Sequence, residues 1–130
     1  MFGDKSKEPT EIYLQNERID RDKLPKFTRA QLSSYNGTTK KELYVAIRGN
    51  IFDVTENTKS YGPGKAYNKL VGKDSSRLLG LNKLQLKDTD GNPENSWDIS
   101  GLDEKQLKIV DDWIEFFKMR YPIVGIVSDE

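Results

Sequence analysis

The chain has 130 residues, enough for one domain, of which 35% are hydrophobic and 32% charged. Its 21 basic and 21 acidic side chains cancel and no basic stripe is visible, so a nucleic-acid partner is not expected. Cysteine and histidine are both missing, which excludes disulfides, thiolate nucleophiles, zinc–cysteine sites and every mechanism built on an imidazole base or ligand.

Residues 1–25 are charged and weakly patterned. They are expected to form a polar tail or linker, with a short extended piece around Ile12–Leu14. In "FTRAQLSSYNG", Thr28 and Gln31 have capping-box spacing, so a short helix should follow Thr28 and stop before Asn36-Gly37. "NGT" at 36–38 is the only N-glycosylation sequon; in a cytosolic protein it is simply a turn. "ELYVAIRGNIFDVT" reads as two strands joined by a tight turn at Gly49-Asn50, with Val45, Ile47, Ile51 and Val54 buried.

From Thr55 to about Leu81 the pattern changes to short helices broken by glycine. Gly62-Pro63-Gly64 is a loop, "KAYNKLV" one or two helical turns ending at Gly72, and Asp74 a candidate N-cap for "SSRLLG". "KDTDGNPENSWDIS" is a long polar loop. Asp103 and Gln106 form a second capping box and open the clearest helix. Leu107, Val110, Ile114 and Phe117 make its apolar stripe, widened by Trp113 and Phe116. Pro122 should end it near Tyr121, and "IVGIV" reads as a closing strand. Strands first and short helices later indicate an α+β domain over residues 26–127. The longest apolar runs are four or five residues, so these residues hold no membrane segment of the usual ~20.

Few motifs carry chemistry. A phosphate loop ending at Gly64-Lys65 needs glycine at 59 and Ser or Thr at 66, where Lys59 and Ala66 stand. "DTDGNPE" at 88–94 resembles a calcium loop, but Pro93 holds the glycine position and Ile99 that of the bidentate glutamate. The pairs Asp103-Glu104 and Asp111-Asp112 lie on the polar face of a helix. No catalytic constellation remains, and the chain is not expected to be an enzyme. Tyr61, Tyr67 and Tyr121 lie near element ends, where side chains either line a cleft or complete a core rim.

"FTRAQLSSYNG", "YVAIRGNIFDVT", "YGPGKAY", "VGKDSSRLLG" and "RYPIVG" occur in an order that resembles the membrane-associated progesterone receptor family. This is the tyrosine-ligated branch of the cytochrome b5-like haem/steroid-binding domains. The resemblance runs from about Lys26 to Val127. It implies a cytochrome b5-like fold: a small mixed sheet with short helices forming a haem cleft. By position, Tyr67 matches the family's axial iron ligand and Tyr61 a pocket tyrosine near a haem propionate. Tyr121 matches a tyrosine that hydrogen-bonds the ligand oxygen, and Arg120 a cation suited to a propionate. Leu70 and Val71, with Leu78, Leu79 and Phe117, would supply apolar walls. The chain departs from the family at Lys65-Ala66, where Gly-Pro is usual, and at Leu70-Val71-Gly72-Lys73-Asp74, where Phe-Ala-Gly-Arg-Asp is usual.

The implied cofactor is ferric haem on a tyrosinate. A phenol has a pKa of about 10 and needs a Lewis acid to become a good ligand. A hard anionic oxygen then favours Fe(III) over Fe(II). The implied role is non-catalytic: haem handling, and support of haem-thiolate monooxygenases in sterol metabolism, at the cytoplasmic face of the endoplasmic reticulum or in the cytosol. The alternative is a haem-free module that takes a sterol-like ligand or a partner protein in the same cleft.

Overall fold

The computed structural model describes residues 9–90 and 95–128. In chain order these form α1 (Glu11–Glu17), β1 (Lys26–Phe27), α2 (Arg29–Leu32), β2 (Tyr44–Ile47), β3 (Asn50–Asp53), α3 (Thr58–Tyr61), β4 (Lys73–Asp74), α4 (Ser76–Gly80), α5 (Glu104–Arg120) and β5 (Ile123–Val127). The strands make one five-stranded sheet in the order β1-β5-β3-β2-β4. Pairs β2–β3 and β3–β5 are antiparallel, whereas β1–β5 and β2–β4 are parallel. The α+β architecture with a small mixed sheet is the one expected from sequence.

Alternation in β2 and β3 sends side chains to both faces of the sheet. Val45, Ile47, Phe52 and Val54 enter the main core beneath α4 and α5. Ala46 and Ile51 point the other way, onto Leu32 of α2. The hairpin turn is one residue earlier than expected. Ile47 pairs with Asn50, so Arg48 and Gly49 are the turn residues, both with positive φ. Two left-handed residues match the strand twist, and Gly49 makes the second cost-free.

Buried Asp74 fixes this turn to α4. One carboxylate oxygen accepts from Gly49 N at 2.8 Å, and the other accepts from Ser76 N and Ser76 Oγ. Ser76 Oγ in turn accepts from Arg48 N at 2.7 Å. The N-cap of α4 is therefore Ser75, not Asp74; Asp74 caps from one residue earlier, as the last residue of β4. Both expected capping boxes form, at Thr28 and Gln31 and at Asp103 and Gln106. Helix α4 approaches α5 closely at Gly80, where a Cβ would come within 3.0 Å of Val110 Cγ2.

The expected tail needs correction. Residues 1–8 lie outside the described residues, but 9–25 pack on the domain, and Ile12–Leu14 is helical rather than extended. Thr10 caps α1, and its hydroxyl donates to Met119 O at 2.6 Å. Buried Asn16 donates to Lys118 O and Tyr121 O and accepts from Ile123 N, each at 3.0 Å. These groups are left over where α5 stops and Pro122 intervenes, so Asn16 pairs a helix end that would otherwise be buried without partners. Lys118 also bonds Glu17, and Tyr13 bonds Glu115. Replacing Asn16 by Ala should therefore destabilise the protein by about 2 kcal/mol or more in urea unfolding, because the Ile123 N–H and the two carbonyls lose buried partners. An unchanged unfolding midpoint would contradict the docking of α1.

Candidate ligand cleft

Past α3 the chain turns sharply through Gly62-Pro63-Gly64. Gly62 is required there, since a Cβ would meet Thr58 O at 2.7 Å. Two hydrogen bonds then fold the loop back on α3: Tyr67 N donates to Ser60 O at 3.0 Å, and Asn68 Nδ2 donates to Tyr61 O at 2.8 Å. They set the rings of Tyr61 and Tyr67 side by side, with centroids 5.9 Å apart. A single 3-10 turn, Asn68–Leu70, follows, where sequence had suggested one or two helical turns.

These rings form one end of a cavity of about 270 Å³. Leu70, Leu78, Leu79, Leu84 and Trp113 supply its apolar walls, with Asn82 and Lys83 at the edge. Such a cavity lies near the lower end of the range for small-molecule sites and has their usual apolar character. The cleft is built by the short helices after Thr55 and by α5, over the sheet that holds β2.

The two tyrosines differ sharply. Tyr61 is 4% exposed and Tyr67 43%. Burial pushes the Tyr61 phenol well above its ordinary range, and the nearby Tyr121 and Tyr67 hydroxyls add to the effect. Tyr61 thus stays neutral and keeps a proton to donate. The Tyr67 hydroxyl has no hydrogen-bond partner among the described residues. An exposed phenol with a free oxygen stands beside a buried phenol that resists ionisation.

Tyr121 packs against Tyr61 at 6.2 Å and against Phe117 at 5.2 Å. Its hydroxyl accepts from Asn57 Nδ2 at 2.8 Å. Tyr61 thus has contacts to both Tyr67 and Tyr121, and no ring contact joins those two among the described residues. Arg120 and Tyr121 line a separate polar hollow of about 460 Å³, with Ile12, Asp53, Glu56, Asn57 and Pro122. The Arg120 guanidinium lies over the rings of Phe116 and Tyr121. Val71 is buried in the main core.

Of the residues expected at the cleft, the structure therefore gathers Tyr61, Tyr67 and Leu70 on one cavity and places Arg120 and Tyr121 on its neighbour. Sequence reasoning missed Asn57 and Asn68, which hold two of the tyrosines. It also missed Lys83 and Leu84 at the cavity edge. Asn68 directly follows Tyr67, a helix-disfavouring polar residue beside a loop, and that was the available signal. Among the described residues, no group of three His, Cys, Asp or Glu could hold a metal ion, and no helix is long and apolar enough to cross a membrane. The loop compared above with a calcium site falls largely outside the described residues, which omit 91–94.

Comparison with known proteins agrees with this geometry. Residues 28–91 match the family described as "Cytochrome b5-like Heme/Steroid binding domain". The chain is 44% identical over 102 residues to Probable steroid-binding protein 3 of Arabidopsis thaliana, covering 78% of this chain and 96% of that one. The chain belongs to the membrane-associated progesterone receptor family of cytochrome b5-like haem/steroid-binding domains. It is also 34% identical to the cytochrome P450 regulator dap1 of Schizosaccharomyces pombe, over 76% of this chain and 60% of that protein. A solved Arabidopsis thaliana structure described as having a cytochrome b5 like fold superposes with a TM-score of 0.68 at 41% identity, covering 82% of this chain and 93% of that one. The fold is cytochrome b5-like. The chain spans only 60% of dap1 and 44% of membrane steroid-binding protein 1 of Arabidopsis thaliana. The relatives are named as binding or regulator proteins.

The raised Tyr61 pKa has a consequence for stability. Below pH 10 folded and unfolded chains both hold this proton. Above it the unfolded phenol ionises first, so folding stability falls as pH rises toward the folded-state value. Each fully differential proton contributes about 1.4 kcal/mol per pH unit. Tyr61→Phe should show a shallower loss of stability between pH 10 and 12 than the unsubstituted protein, measured by urea unfolding. Identical slopes would show that Tyr61 ionises as freely in the fold as in solution.

Proposed function

We propose that the chain is a non-catalytic haem-binding protein in which Tyr67 would hold the iron. The observation that carries this reading is half-exposed Tyr67, whose hydroxyl has no hydrogen-bond partner among the described residues, beside an apolar cleft in a chain with no histidine or cysteine. The donor set fits: an oxygen without a competing partner among the described residues, next to Leu70, Leu78, Leu79 and Trp113. When bound, ferric haem supplies the Lewis acid that lets a phenol act as an anionic ligand. The protein does the remainder. Tyr61 keeps its proton and offers a hydrogen bond to the Tyr67 oxygen, which favours the phenolate form there. Tyr121 supports Tyr61 from behind, and its own reach to Tyr67 requires the Tyr61 ring to yield. Arg120, whose guanidinium lies over Phe116 and Tyr121, would be the cation for a propionate. The leucines and Trp113 exclude water from the opposite side.

The proposed role is haem handling and support of haem-thiolate monooxygenases in sterol metabolism, at the cytoplasmic face of the endoplasmic reticulum or in the cytosol. The relative named as a cytochrome P450 regulator supports it. A second reading is a haem-free module for a sterol-like ligand. The relatives named as steroid-binding proteins favour it, as does Lys65-Ala66 in place of the usual Gly-Pro.

Hemin titrations followed by absorbance separate these readings. Unsubstituted protein should bind hemin stoichiometrically. Tyr67→Phe should lose binding or show a changed spectrum. Tyr61→Phe should keep the tyrosinate spectrum and bind roughly ten- to hundred-fold more weakly, the effect of about 1.5–3 kcal/mol for one charge-assisted hydrogen bond. Wild-type affinity and spectrum in Tyr67→Phe would overturn the ligand assignment. Failure of the unsubstituted protein to bind hemin would favour the haem-free reading.

A further inference from the structure

A second hollow, of about 410 Å³, adjoins the cleft. Lys69, Gln85, Leu86 and Ser96 line it, together with Leu78 and Leu84. Leu78 and Leu84 also line the cleft, so the two spaces meet at these side chains. Leu78 is buried and forms the shared floor, whereas Leu84 is 37% exposed and stands between them. The backbone beside Leu84 is anchored on both sides: Lys83 N donates to Leu78 O at 2.9 Å, and Leu86 is buried in the main core.

The two spaces differ in chemistry. Beyond its tyrosines the cleft is walled by leucines and Trp113. The rim of the hollow is polar and offers donors. Lys69 Nζ donates to Gln85 Oε1 at 3.1 Å. That bond occupies the amide oxygen. It leaves the amide N–H groups and the remaining ammonium hydrogens without an acceptor among the described residues. The Ser96 hydroxyl is committed to Asp74 O at 2.7 Å. Among the described residues no carboxylate pairs with Lys69. Lys83 is paired with Asp90 and Lys73 is itself engaged, so neither adds free charge. The unneutralised charge on this rim is that of Lys69.

We propose that the hollow is a head-group subsite of the cleft, and that the two together take an apolar molecule ending in a carboxylate. The apolar body lies on Leu78 and Leu84 and reaches Trp113. The carboxylate accepts from Lys69 Nζ and Gln85 Nε2. A rim that only donates calls for an occupant that only accepts, and an ionised carboxylate is such a group. Lys69 adds the complementary charge. Size agrees: the cleft alone is at the low end for a small-molecule site, and the hollow brings the combined space well inside the usual range. The inference rests on the second reading above, a haem-free cleft for an apolar ligand, and names the other end of that ligand.

Quenching of Trp113 fluorescence tests it, without hemin and with the other tryptophan removed by Trp97→Phe. Two probe pairs are titrated: lithocholate against its side-chain alcohol, and oleate against oleyl alcohol. The acid of a pair should bind about fivefold more tightly than its alcohol at low salt, the effect of an exposed ion pair of roughly 1 kcal/mol. The pair that binds more tightly identifies a rigid or a flexible body. Raised salt should shrink the difference. Lys69→Ala should remove it and Lys69→Glu should reverse it, and Lys69→Ala should leave the affinity for the alcohol unchanged. Lys40→Ala, beside Tyr35 and away from the hollow, should change nothing. Circular dichroism of each variant confirms that it is folded. Equal affinity for acid and alcohol, or an acid preference that survives Lys69→Ala, would overturn the proposal and leave the haem-free reading standing. Absence of binding by all four probes would overturn both.

Discussion

Contacts around the ring of Tyr61 organise the cleft. It touches Tyr67 on one side, Tyr121 on another and Phe117 below. Phe117 in turn lies edge-on to Phe52 of the sheet. A chain of aromatic contacts thus runs from the exposed phenol to the centre of the core. Such contacts have preferred geometries that resist sliding, so the position of Tyr67 is referenced to the sheet through two rings. The same burial keeps the Tyr61 phenol neutral. One residue therefore sets both the placement of its neighbour and the sign of the electrostatics beside it: a proton donor, not a competing anion.

Much of this was readable from the sequence. Both capping boxes, the paired strands, the apolar stripe of α5 and its end at Pro122 follow from local rules that tertiary structure did not override. Short-range geometry accounts for the errors. The β2–β3 turn falls on Arg48-Gly49 because register is set by the pairing of Ile47 with Asn50, which turn chemistry alone does not reveal. Asp74 looked like an N-cap because a carboxylate followed by two serines can cap a helix. Its burial against Gly49 depends on a parallel strand pair that local pattern does not show. The clustering of the tyrosines was expected from resemblance, but the separation of Tyr67 from Tyr121 by the ring of Tyr61 depends on packing across 60 residues of chain.

The N-terminal segment shows a different limit. Residues 9–25 are polar enough to read as a tail, and their role is polar. Thr10 and Asn16 bond the backbone at the end of α5, where neither helix nor strand can supply partners. Hydrophobic periodicity is silent about an element whose contribution is to pair leftover carbonyls. The effect reaches the site, because Asn16 holds the backbone of Tyr121 and Ile12 lines the hollow beside Arg120.

The central claim is that Tyr67 can bond iron as a phenolate. Resonance Raman spectroscopy of the hemin-loaded protein tests it most directly, because tyrosinate ring vibrations gain intensity only when the phenolate oxygen is bonded to the metal. Growth on ring-deuterated tyrosine should shift those bands, and Tyr67→Phe should abolish them while Tyr121→Phe retains them. A hemin complex that shows no deuterium-sensitive tyrosinate bands, or one that keeps them in Tyr67→Phe, would contradict the account.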